Sequence, residues 1–151
     1  NFHWEAAEGS GWVIDISDNT DLDNLAPLCG LDINSLNAGN IGTPDLQLLS
    51  GNGMRRLDLS GSPLSHLFDM DRFAGVEELD ISGTRIRNLA NIVKYNKLTT
   101  LDISRIEGLV ISPQLVWCRN LKVLTVDQSH REDPTIRALA RRGVIIIYAG
   151  N

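Results

Sequence analysis

The side chains in this sequence that could carry chemistry are three histidines, two cysteines, one short acidic run and a few clustered glycines. A general base must sit beside the nucleophile it activates. His3, His66 and His130 lie far apart, none within a nucleophile motif, and His66 reads as an ordinary loop residue. Cys29 and Cys118 are too few for a disulfide scaffold and too widely spaced for a zinc site, so both are expected to be free, buried thiols. The stretch Asp18 to Asp23, reading DNTDLD, gathers three carboxylates, but Thr20 and Leu22 occupy places where the alternation of a calcium loop needs carboxylates. Gly51, Gly53 and Gly61 lack the Lys-Ser/Thr that would follow a phosphate loop. No catalytic residue, metal site or cofactor site is expected.

The remaining chemistry is charge. The formal net charge of −5 argues against a nucleic-acid partner. The first 54 residues hold eight of the nineteen acids and none of the fourteen Lys and Arg, so one end is acidic and the rest mildly basic. The longest apolar run, Val144 to Tyr148, is far short of the roughly 20 residues that span a bilayer, so no membrane insertion is expected. The 151 residues, 42% hydrophobic, suffice for one domain with a core. Starting at Asn1 rather than Met, the chain reads as a piece of a longer protein.

What positions these groups is an internal repeat. Segments beginning at Met54, Val76, Leu98 and Leu121 read MRRLDLSGSPL, VEELDISGTRI, LTTLDISRIEGL and LKVLTVDQS, spaced by 22, 22 and 23 residues. Two further copies begin at Gly11 and Ile33. Fourth and sixth positions are apolar throughout: Ile14/Ile16, Leu36/Ala38, Leu57/Leu59, Leu79/Ile81, Leu101/Ile103 and Leu124/Val126. Such short alternation predicts a strand with one buried face, and its regular return predicts parallel strands joined by crossovers. One unit cannot bury its apolar face alone, but a stack can.

The pattern LxxLxLxx followed by an apolar residue resembles the leucine-rich-repeat family in its 22-residue form, over roughly residues 11–130. The LDLSG-S/T phrasing resembles repeat segments of bacterial proteins, some attached to protein kinases. The resemblance implies an α/β fold: a leucine-rich-repeat solenoid with a parallel, concave sheet of about six or seven short strands and short helices and loops on its convex side. It also implies a protein-binding role. The family's ninth-position Asn is mostly replaced, by Ile41, Ser62, Thr84, Ile106 and Ser129 after Asn19. A hydroxyl donates one bond where an amide donates two, so this ladder should be thinner.

Thr43-Pro44, Ser112-Pro113 and Asp133-Pro134 each place a capping residue before a proline suited to a first helical turn. Gly51 and Gly143 stand where helices end, and Asn88 to Tyr95 reads as a short helix. The expected organisation is a single domain, 1–151. Residues 1–10 form a cap or tail, 11–130 about six repeats, and 131–151 a helix-strand cap including RGVIIIY. Phe2 and Trp4 could cover the first repeat's core; Trp117 is expected in the core, and Trp12 could serve as core or contact.

Third, fifth and seventh positions should face outward on the concave side. The candidate binding residues are therefore Arg56, Asp58, Ser60, Glu78, Asp80, Ser82, Thr100, Asp102 and Ser104. Carboxylates on neighbouring strands about 4.8 Å apart repel by about 1 kcal/mol per pair in water. A basic protein partner would relieve that repulsion, and so would serine hydrogen bonds without any ligand. The reading is a non-catalytic protein-interaction module engaging its partner through the concave face or the acidic N-terminal end. The alternatives are a passive structural or regulatory arm of a multidomain, kinase-linked chain and, last, a concealed enzyme. Cys29 and Cys118 lie four repeats apart, about 19 Å at 4.8 Å per strand, against a limit of about 7 Å between bridged Cα atoms. A mass measurement without reductant should find both thiols free; an intramolecular disulfide would overturn the register.

Overall fold

Each repeat contributes one strand. The computed structural model describes residues 2–42, 45–49, 53–67 and 70–150. Its strands are β1 (His3–Ala6), β2 (Trp12–Asp15), β3 (Ile33–Asn37), β4 (Arg56–Asp58), β5 (Glu78–Asp80), β6 (Thr100–Asp102), β7 (Val123–Asp127) and β8 (Ile145–Ala149). They form one eight-stranded sheet in sequence order. From β2 to β8 neighbours are parallel, with Leu36, Leu57, Leu79, Leu101 and Leu124 paired in one row, the register the repeat spacing predicts. Fourth and sixth positions are buried in every repeat and form one continuous core with Phe73 and Tyr95.

The sheet is mixed, which corrects the all-parallel expectation. β1 folds back antiparallel on β2, pairing Trp4 with Ile14, through a turn containing Gly9 and Gly11 at φ 105 and 84. Phe2 and Trp4 meet edge to face, with ring centroids 6.2 Å apart. They stay 69% and 61% exposed, so β1 closes this end by backbone pairing and not by burying its aromatics.

The return segments carry 3-10 turns, at Ala26–Leu28, Leu46–Leu48, Met70–Phe73, Ala90–Lys94 and Pro113–Trp117. The cause is an apolar spacing of three: Leu89, Ile92, Tyr95 and Leu98 are all buried, as are Leu115, Cys118 and Leu121. That geometry swings Trp117 outward to 65% exposure, correcting its assignment to the core; Leu115 takes the inward place. Ser112 caps its turn as expected, and Asp45 caps Leu46–Leu48; Thr43, Pro44 and Gly51 lie outside the described residues. The segment read as a helix over 88–95 is the turn Ala90–Lys94, with the Asn88 side chain accepting from Ala90 N–H at 2.8 Å. The α-helix α1 (Pro134–Arg141) starts on the Asp133 cap, buries Ile136 and Leu139, and is followed by Gly143 at φ 99.

Leu79 is buried between the strands of two neighbouring repeats. Leu79→Asp would bury a carboxylate without a partner, a change that costs more than about 4 kcal/mol. Circular dichroism melting should show loss of the folded state, and an unchanged midpoint would place Leu79 outside the core.

Candidate binding surface

Backbone bookkeeping explains the outer face. Beyond each short strand the ladder continues. Sixth-position N–H groups donate to fifth-position carbonyls of the next repeat, as from Leu59 to Asp80 and from Ile81 to Asp102. Eighth-position N–H groups donate to seventh-position carbonyls, as from Gly61 to Ser82 and from Gly83 to Ser104. The seventh N–H takes no part in this ladder. It is satisfied within its own repeat by the fifth-position side chain: Asp15 accepts from Ser17, Asn37 from Gly39, Asp58 from Ser60, Asp80 from Ser82 and Asp102 from Ser104, at 2.8–3.1 Å. The fifth-position carboxylates therefore hold the turn that ends each strand.

That turn also forces a left-handed eighth residue. Asp18, Asn40, Gly61, Gly83 and Arg105 all have φ between 54 and 67, a register position the repeat pattern alone does not reveal. At the ninth position Asn19 donates to two carbonyls, whereas Ser62 and Thr84 each donate to one, so the ladder is thinner as expected.

The face opposite the return segments holds a hollow of about 380 Å³ that includes Arg56, Asp58, Glu78, Asp80, Thr100 and Asp102 in its lining. Asp58, Asp80 and Asp102 stand in one row on β4, β5 and β6, half-buried, and among the described residues none of them forms an ion pair. Arg56 instead pairs with Glu78 at 3.0 Å. The seventh-position serines do not share this surface equally. Ser60 is partly exposed, but Ser82 and Ser104 are buried, a correction that follows from the turn tucking the seventh residue under its neighbour. Among the described residues no group of three His, Cys, Asp or Glu side chains could hold a metal ion, and Asp18 instead accepts from the Asn40 amide at 3.0 Å.

No protein-family model matches this chain, and no curated protein matches it. Among solved structures it is similar to the functional domain of InlJ from Listeria monocytogenes, described as including a cysteine ladder. The TM-score is 0.56 at 16% identity, covering 76% of this chain and 27% of that one. The likeness is one of fold. It supports a leucine-rich-repeat-like mixed sheet with interspersed short helices. This chain has no equivalent cysteine file: Cys29 and Cys118 end their 3-10 turns where Leu49 and Tyr95 end those of two repeats between. Both thiols are free, but Cys29 is exposed and only Cys118 is buried, which corrects the expectation that both are inside.

The same turn shifts two carboxyls in opposite directions. Hydrogen bonds from the Ser17 hydroxyl and N–H hold Asp15 below its ordinary 3.8. Burial pushes Asp80 above 3.8, despite two bonds from Ser82, and the charges of Asp102 and Asp58 add to the rise. A carboxyl raised on folding adds stability below 3.8 that is lost as pH rises through its folded value. Asp80→Asn keeps an oxygen for the Ser82 N–H, as Asn37 does for Gly39, and removes the charge. It should raise the neutral-pH stability by up to about 1 kcal/mol, with the gain vanishing in acid. Melts across pH check this; a loss at neutral pH would mean the charge itself is structural.

Proposed function

We propose that this chain is a non-catalytic protein-binding module: a leucine-rich-repeat solenoid of the 22-residue type, organised as one domain over 1–151, that lays its outer sheet face against a basic protein segment. One observation carries the reading. Asn37 satisfies its turn with a neutral amide, yet three consecutive repeats use Asp for the same bond. The turn requires one acceptor oxygen, so the charge on Asp58, Asp80 and Asp102 exceeds what the scaffold needs. A partner's Lys or Arg would supply the cation that the row lacks. Arg56, Glu78 and Thr100 flank the row and would set polar register, with Ser60 at its edge. Ser82 and Ser104 support the turns from beneath. No helix among the described residues is long and apolar enough to cross a membrane.

The second reading, a passive or regulatory arm, is favoured by the turn bonds themselves, since a carboxylate accepts more strongly than an amide. The two part on one experiment. A decalysine peptide should bind the wild type with an affinity that falls as salt rises. Replacing Asp58, Asp80 and Asp102 together by Asn should weaken that binding about tenfold, equivalent to about 1.4 kcal/mol, and flatten its salt dependence. Binding unchanged in the triple variant sinks the acidic-row reading, and a lower melting point in that variant favours the arm.

A further inference from the structure

All the basic residues lie in the later part of the chain, and the acidic row makes no use of them. Three of them converge. At the loop edge of repeats three to five a notch of about 620 Å³ is lined by Arg85, Arg87, Arg105, Glu107, Ser65 and the Gly83 turn. The geometry points to a binding site for a small phosphate or sulfate ester, such as a sugar carrying one of these groups.

Three features support that assignment. First, one of the guanidinium groups is held in place. Arg105 sits in the left-handed eighth position, its N–H on the Asp127 carboxylate at 2.8 Å and its guanidinium on Ser82 Oγ at 3.1 Å. Arg87 runs past Gly108, where the absence of a side chain leaves its Nε room. A guanidinium has five N–H donors, so most of Arg105's remain for a ligand. Second, the notch is basic in excess: three guanidinium groups face one carboxylate, Glu107. Among the described residues neither Arg85 nor Arg87 forms an ion pair, although the molecule as a whole is at −5. Third, the lining suits one compact tetrahedral oxyanion on a polar body. Phosphate gathers about two charges and three acceptor oxygens on one tetrahedral centre, which matches converging guanidinium forks better than separate carboxylates do. The volume falls within the range of small-molecule sites and exceeds what a bare oxyanion fills. The Glu107 carboxylate is suited to accept from hydroxyls of the attached body, and the Ser65 hydroxyl offers a further polar contact.

The site is independent of the acidic row and is tested apart from it. Glucose 6-phosphate, glucose 6-sulfate and glucose are titrated into the purified chain by calorimetry. Saturable one-site binding of the phosphate or the sulfate, with glucose inert, is expected. Arg85→Gln with Arg87→Gln should weaken it about tenfold or more at an unchanged melting temperature, since neither side chain holds the fold by a hydrogen bond. Glu107→Gln keeps an acceptor and removes a repelling charge, so it should tighten binding severalfold. Neutralising Asp58, Asp80 and Asp102 should not weaken it. Absence of saturable binding, equal binding of glucose, or full affinity in the double arginine variant would each overturn the assignment.

Discussion

The direction of three successive backbone N–H groups governs most of what this chain can be. At the sixth and eighth positions they reach the next repeat and carry the ladder past the strands; at the seventh they must be met at home. An unmet backbone donor at a partly buried turn is costly, so in the first five repeats the fifth residue offers an acceptor on a short side chain, as Asp or Asn. The eighth residue must then turn left-handed, where Gly, Asn and Asp pass with little strain. Arg105 is the exception. Its partners Asp127 and Ser82 hold it there, and the same constraint fixes one wall of the arginine notch.

The strands and their register were readable because period-two burial and a 22-residue return are direct consequences of the packing. The helix caps at Ser112 and Asp133 were readable for a similarly local reason. Other features needed the fold. β1 shows no alternation, since each of its residues is exposed, and residues 1–10 therefore read only as a cap or tail and not as a strand. The spacing of Leu89, Ile92 and Tyr95 signals 3-10 turns, and taking those stretches for ordinary helix is what misplaced Trp117. Alternation also put Ser82 and Ser104 on the outer face, although the turn begins there and draws them under. Arg85, Arg87 and Arg105 occupy different repeat positions on two repeats, and no linear period joins them.

Charge in this molecule is arranged by depth as much as by sign. Arg55 with Glu77 and Arg56 with Glu78 bridge β4 and β5 at the rim, where both partners stay solvated and contribute little energy. Deeper on the same face Asp58, Asp80 and Asp102 accept their turn bonds but, among the described residues, form no ion pair. Asp15 and Asp80 are both half-buried and make the same turn bonds. Yet hydrogen bonding wins at Asp15 and holds it in its charged form, while desolvation wins at Asp80 and pushes it toward its neutral form. Local sequence sets the bond; the number of neighbours above and below sets the electrostatics.

The reversed direction of β1 bears on how such a chain can change in length over generations. Through β1 the first repeat presents an antiparallel strand outward, and after the last repeat α1 intervenes before β8. At the β1 end the outer strand runs antiparallel, so a further parallel 22-residue unit finds no matching edge there. From β3 to β7 every joint has the same register, so a copy gained or lost there leaves β1 and α1 untouched. Each interior gain of an Asp-bearing unit would lengthen the acidic row by one step, so copy number and the charge of that face are inherited together.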